Sequence, residues 1–441
     1  MTTYWCELAW LGGDEPEAGV VVEAEEGRVA RVERGAASPP PGSKRLGGLT
    51  IPGLANAHSH AFQRALRGRT HSGAGDFWSW REAMYELAGR LDPDRCRALA
   101  RATFAEMALA GITCVGEFHY LHHGPAGVPY ADPNELGRGL ISAAAEAGIR
   151  ITLLDACYLH GGIDVAPNDV QRRFSDGDAA SWAARVGELE DGPGARLGAA
   201  IHSVRAVDPA SAAAVAAWAG ERPLHAHVSE QAAENEACLD AYGLTPTEVL
   251  ADAGALSARF AAVHGTQFTE EDMSRIGAVG ATCCLCPTTE RDLADGIGPA
   301  QAMIDAGARL ALGSDSHAVI DLFEEARAVE LDERLERGFR GVHSATALLR
   351  AATESGHACL GWPDAGRIEA GARADLVTVA LDSVRLAGTD RQSALASLVF
   401  AASAADVRSV IVDGRQVVGD GAHAEIEVGA ELRDAIEAAW R

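Results

Sequence analysis

His58 and His60 are separated by one residue, Ser59, at the end of an apolar run. Alternate residues of a β-strand point to the same face, so these two imidazoles can be presented to one metal ion. Histidines or acids close several later apolar runs in the same way: Glu117, His202, His227, His264 and Asp315. Neutral imidazole nitrogen and carboxylate oxygen are the donors that catalytic zinc or ferrous iron takes. A metal held by such a set lowers the pKa of a bound water, making hydroxide available near neutral pH. The chemistry expected is metal-assisted hydrolysis. Reading these histidines only as core side chains satisfied by hydrogen bonds leaves their collection at strand ends unexplained.

Within this set the expected ligands are His58, His60, His227 and Asp315. His225 shares a strand face with His227 but lies further from the strand end, and is expected to pack inside the fold. Glu230 follows His227 by three residues, where a carboxylate can overhang the metal and shuttle a proton. The competing reading of Glu230 is a helix-start glutamate favoured by the helix dipole. Cys283, Cys284 and Cys286 have no second cysteine pair to complete a thiolate site, and read as reduced thiols in a buried strand. His122 and His123, beside Gly124-Pro125, read as solvated or lid-forming. His71, His119 and His317 have no assigned partner, although His317 lies within reach of the site.

The elements that must position these residues follow from the hydrophobic rhythm. From Leu49 onward, short apolar segments alternate with alanine-rich helical ones such as Ala210 to Gly220 and Ser344 to Glu354. Leu49–His58, Thr113–Glu117, Ile149–Leu154, Leu197–His202, Leu224–His227, Phe260–His264, Ala281–Cys286 and Leu310–Asp315 make about eight strands. Apolar strands alternating with helices are buried on both faces, the pattern of a parallel sheet. The fold expected is α/β, a (β/α)8 barrel over 51–365 with its active site at the C-terminal strand ends. Before residue 51, Gly19–Glu23 and Gly27–Val32 read as strands. After residue 365, Asp375–Val379 does so too, as does a hairpin through Asp413-Gly414 within Val407–Val418. Residues 1–50 and 366–441 are therefore expected to build one small composite β-sandwich.

Composition narrows the class. The chain has 441 residues, of which 47% are hydrophobic, enough for a large core. No apolar run approaches the ~20 residues of a membrane span. The start, MTTYWCELAW, lacks the basic residues and long apolar stretch of a signal peptide. A net charge of −25 argues against nucleic acid, which needs a basic face. Nine scattered cysteines fit reduced thiols and a cytoplasmic location.

The set of His58, His60, His227, His264 and Asp315 resembles that of the amidohydrolase superfamily, and His227-Val228-Ser229-Glu230 is similar to its deaminase branch. Longer stretches resemble the formiminoglutamate deiminases of histidine degradation. They are Asn56–Ala65, Phe77–Tyr85, Glu117–Tyr120, His202–Val207 and Gly313–His317, and the resemblance spans nearly the whole chain. Superfamily members with two metals bridge them through a carboxylated lysine. The only lysine here is Lys44, before the first motif, so one divalent metal is expected, zinc or else iron. A bridging role for Glu117 is the lesser alternative. The resemblance implies hydrolysis of N-formimino-L-glutamate to N-formyl-L-glutamate and ammonia. It makes Glu230, His264 and Asp315 catalytic. Arg81 and Arg205 are implied to hold the glutamate carboxylates, helped by Tyr120 and His202, with Gln63 nearby. Arginine's planar fork suits a carboxylate. The partners expected are this small dicarboxylate amidine and a second copy of the chain, with no membrane. Two other readings remain open: a deaminase of aminated heterocycles, which needs no paired arginines, and a catalytically inactive scaffold.

Overall fold

The computed structural model describes residues 1–70 and 77–441. His71, which had no assigned partner, lies outside the described residues. Four strands precede the barrel: β1 (Thr2–Ala9), β2 (Glu17–Glu25), β3 (Arg28–Glu33) and β4 (Lys44–Pro52). The barrel strands are β5 (Leu54–Ser59), β6 (Ile112–His119), β7 (Arg150–Cys157), β8 (Ala195–Ile201), β9 (Leu224–Val228), β10 (Phe260–His264), β11 (Thr282–Leu285) and β12 (Arg309–Leu312). They pair in parallel in chain order. Every residue of β5, β6, β7, β9, β10 and β11 is buried, because side chains fill the barrel on one face and helices cover the other. The ring closes where β5 meets the end of β12, through a parallel bridge between Ser59 and Asp315.

The run from Leu49 to His58, expected as one barrel strand, is two strands split at Gly53. The change of sheet occurs within one residue. Gly53 N donates to Asp375 O (3.1 Å) in the outer sheet, and Leu54 N donates to Gly111 O (3.1 Å) beside the barrel. A β-carbon at Gly53 would lie 2.3 Å from Thr113 Oγ1 and 2.9 Å from Asp375 Cβ, so the crossing admits only glycine.

After the barrel come β13 (Leu376–Val379), β14 (Val407–Val412), β15 (Arg415–Gly419) and β16 (Ala422–His423). They join β1–β4 in an eight-stranded sheet, the small sandwich built from both termini. The seam is β4 against β13, antiparallel, with Thr50 and Thr378 hydroxyls 3.0 Å apart. Asp413 and Gly414 turn β14 into β15 with both φ angles positive (46° and 73°), the geometry that selects Asp-Gly in a tight hairpin. The helix expected from Ala210 runs over Pro209–Ala219, capped by Asp208 on the amides of Ala210 and Ser211. The one expected from Ser344 covers Ala345–Arg350 and then widens into a π turn over Ala351–Ser355. The C-terminal helix, Val428–Trp440, returns to the barrel wall, where Trp440 Nε1 donates to Ala65 O (3.0 Å). No described helix is long and apolar enough to cross a membrane.

Candidate active site

His58 and His60 leave the end of β5, His227 lies in β9 and Asp315 follows β12. Their donor atoms lie within 4.8 Å of one another. His58 Nε2 and His60 Nε2 are each 3.3 Å from Asp315 Oδ1, and His58 Nε2 is 3.1 Å from His227 Nε2. The Nδ1 of His60 faces Phe118 O at 2.9 Å, and that of His227 faces His202 O at 2.8 Å. A carbonyl accepts, so both rings carry Nδ1–H and turn an Nε2 lone pair toward the cluster. Burial pushes the His58 pKa down to about 3 and lowers those of His60 and His227. Burial alone would raise Asp315, but the imidazoles, His58 first, hold it below the usual carboxylate range. Three neutral imidazoles and one carboxylate converge here, with the outer nitrogens of His60 and His227 anchored, and this donor set fits a divalent ion of the zinc type.

The backbone is shaped around this point. Ser229, His264, Asp315 and His317 all have φ between 42° and 70°. Left-handed backbone in non-glycine residues is strained and persists where the surroundings impose it. Ser314 N and Asp315 N donate to His58 O at 3.1 and 3.0 Å, while His60 N donates to Asp315 O at 3.1 Å. Asn56 adds a two-way clasp with Ser314, accepting from its amide (2.9 Å) and donating to its hydroxyl (2.6 Å). His317 does not enter the ligand set. Its nitrogens lie 3.1 Å from Ser59 Oγ and 3.0 Å from Ser314 Oγ, behind the ligands.

His264 sits at the edge of the cluster, with Nε2 3.7 Å from Glu230 Oε1 and 3.8 Å from Asp315 Oδ2. Its Nδ1 is 3.3 Å from Glu290 Oε1. Burial would lower its pKa, but Glu230, Glu290 and Asp315 raise it well above the usual value. It is the one imidazole here poised to hold a proton. Glu117 accepts from Ser59 Oγ (2.6 Å) and Ala61 N (2.7 Å), and burial raises its pKa to about 8. Each of its two oxygens already accepts a hydrogen bond, one from Ser59 and one from Ala61.

Beside the cluster opens a cavity of about 300 Å³, reached by His60, His227, Glu230, His264 and Asp315. Its other wall carries Gln63, Arg81, Tyr120, His202 and Arg205. Arg81 lies in α1 (Phe77–Arg90), with its guanidinium 4.4 Å from the Trp78 ring and 5.5 Å from that of Tyr85. Gln63 Nε2 donates to Tyr120 Oη at 2.9 Å. Arg205 lies over Phe77 (5.5 Å), and its Nη2 donates to Glu230 Oε2 at 3.1 Å. Its Nε is 3.7 Å from Glu234 Oε1.

Sequence reasoning passed over Glu290, which orients His264, and Glu234, which stands behind Arg205. The spacing of Glu230 and Glu234, one helical turn, was the available signal. His225 is buried, as expected, with Nε2 3.3 Å from Cys359 O. His122 and His123, expected to be solvated or lid-forming, are buried. His122 Nε2 lies 2.9 Å from Ala156 O, and His123 Nε2 lies 3.0 Å from Asp176. His119, His122 and Asp155 also cluster, but both oxygens of Asp155 are taken by Arg185 and one also by Trp182. All nine cysteines are free and buried. Cys286 lies beside His264 and Glu290, and burial raises its thiol well above the ordinary pKa.

The model of the amidohydrolase family matches residues 49–417. Formimidoylglutamate deiminase of Pseudomonas aeruginosa is 38% identical over 403 residues, covering 88% of this chain and 89% of that protein. A 5-methylthioadenosine/S-adenosylhomocysteine deaminase of Halobacterium salinarum is 31% identical over 414 residues, covering 92% of this chain and 89% of that one. The crystal structure of an amidohydrolase from Brucella melitensis superimposes with a TM-score of 0.91 at 33% identity, over 100% of both chains.

Proposed function

Because this chain belongs to the amidohydrolase family and is a hydrolytic enzyme acting on carbon–nitrogen bonds, we propose that its substrate is N-formimino-L-glutamate, deiminated to N-formyl-L-glutamate and ammonia. One observation carries the reading: two guanidiniums, Arg81 and Arg205, line the same cavity as the His58–His60–His227–Asp315 cluster. A substrate with two carboxylates and one amidine has a use for both ends. An uncharged heterocycle has no use for the paired arginines.

His58, His60, His227 and Asp315 would hold one divalent ion, zinc by its donor set. When bound, that ion supplies Lewis acidity and lowers the pKa of a water toward neutrality. His264 and Asp315 orient the attacking water and accept its proton. Glu230, between His264 and Arg205, carries a proton to the departing nitrogen, so that the C–N bond breaks, ammonia leaves and a formyl oxygen remains. Arg81 and Arg205 fix the two carboxylates, while Gln63, Tyr120 and His202 complete the polar wall. Phe77, Trp80 and Tyr85 exclude bulk water, which strengthens each charged contact.

The test is ammonia release from N-formimino-L-glutamate, run beside adenine, guanine, cytosine and 5-methylthioadenosine. Preferred turnover of formiminoglutamate is expected. Turnover of a heterocycle in its place would assign the chain to the deaminases of that class.

A further inference from the structure

One of the two guanidiniums proposed to take a substrate carboxylate, that of Arg205, already holds one. Arg205 Nη2 donates to Glu230 Oε2 at 3.1 Å, and a second carboxylate, Glu234, lies 3.7 Å from Nε. All three side chains are enclosed, at 15%, 8% and 0% exposure respectively. We propose that Arg205 gates the reaction: at rest it restrains Glu230, and a substrate carboxylate arriving at Arg205 displaces Glu230 and frees it to carry protons. The proposal rests on the deiminase reading above.

Three charges already share this corner, one positive and two negative. A substrate carboxylate added to it would give three anions around one cation in a region where charges are weakly screened. One carboxylate must therefore withdraw. Glu234 is fully buried and anchored, with Oε2 accepting from Glu230 N at 3.1 Å. Its Oε1 has no hydrogen-bond partner among the described residues, so it stays as a standing counter-ion to Arg205. Glu230 is the movable member. Its Oε1 already faces His264 Nε2 at 3.7 Å, too long for a hydrogen bond and short enough to close by a small rotation. While Arg205 donates to Oε2, protonating Glu230 would sacrifice a buried, charge-assisted hydrogen bond. With a substrate carboxylate on Arg205, that penalty disappears. Binding energy from the end of the substrate that does not react is thereby spent at the reacting carbon, and appears in kcat as well as in KM.

The experiment uses the metal-loaded enzyme with N-propylformamidine, an amidine that has no carboxylate, and with free glutarate added in trans. Glutarate is expected to raise kcat for the amidine saturably, by about 10-fold or more, by occupying Arg205. Arg205→Met is expected to turn the amidine over faster than the parent, to ignore glutarate and to lose formiminoglutamate activity. Glutarate that only competes with the amidine, with no rise in kcat, overturns the gate. So does an Arg205→Met variant that loses both substrates in equal proportion. The glutarate experiment on the unaltered enzyme decides the matter even if the variant fails to fold. Formiminoglutamate turnover without glutarate activation removes the gate and leaves the deiminase reading intact. A parent inert toward formiminoglutamate removes both.

Discussion

Four imidazoles crowd one corner of the barrel, and they divide by protonation. Burial holds His58, His60 and His227 toward the neutral form, whereas three carboxylates pull His264 the other way. A neutral imidazole offers a lone pair, and one that is readily protonated moves protons. Metal analysis is accordingly expected to return about one tightly held divalent ion per chain. Chelation should abolish turnover and zinc should restore it; two essential ions at full occupancy would refute the single site. Glu230 accepts from Arg205 and faces His264 without joining the ligand cluster. Glu230→Gln should therefore retain the metal and lose about 10²–10⁴-fold in kcat. Turnover of formiminoglutamate within a few-fold of the parent would return Glu230 to a structural role. At this scale the strand ends were legible, because a two-residue repeat tells which side chains share a face. Glu234 and Glu290 were not. Each is an acid near the start of a helix, a place where acids are common, and only the folded chain brings them to Arg205 and His264.

At the scale of elements, the approach of β12 to β5 sets the ligand geometry. A β-carbon on Gly313 would lie 2.7 Å from His58 Cβ and 2.9 Å from both His58 O and Cys286 Sγ. That same His58 O accepts from the amides of Ser314 and Asp315. Gly313→Ala should therefore push His58 away from Asp315, weakening metal affinity by about 10- to 100-fold, as loss of outer support does at such sites. Competition with a chromogenic chelator would measure it, with circular dichroism confirming the fold. Unchanged affinity would mean that the strands part without disturbing the ligands. The barrel strands were legible because continuous apolar runs between helical segments leave few alternatives. The split at Gly53 was not, since Leu49 to His58 is apolar on both sides of it and only the change of hydrogen-bond partners separates two strands. His122 and His123 were misread for a similar reason. Beside Gly-Pro they look like a solvated loop, yet Arg173 O accepts from both of their amides and draws the segment inward.

At the scale of the whole molecule, barrel and sandwich are tied by a buried ion-pair network. Arg150, at the start of β7, donates to Asp375, ahead of β13, and to Asp413 (3.1 Å) in the hairpin turn. Burial would raise the pKa of Asp375, but Arg150 holds it below the usual carboxylate value. A carboxylate depressed in the folded state stabilises it above the unfolded pKa of about 4, and that contribution is lost as pH falls through the folded pKa. Asp375→Asn should lower the unfolding free energy by about 3 kcal/mol near neutrality, the lower end for a broken buried pair because Asp413 still faces Arg150. The gap between parent and variant should narrow below about pH 4, as read from urea unfolding across pH. A constant gap would show that Asp375 acts by packing and not by charge. The closing bridge between Ser59 and Asp315 has a different kind of consequence, one of timing. A chain grows from its N-terminus, and more than half its length separates the first ligand from the last. Until β12 has emerged from the ribosome, the His58–His60 pair lacks its carboxylate and the barrel lacks its final stave. A product stalled or truncated before Asp315 therefore cannot present the full coordination set, and the set is complete only once the last barrel strand has been made, with β13–β16 and the C-terminal helix still to follow.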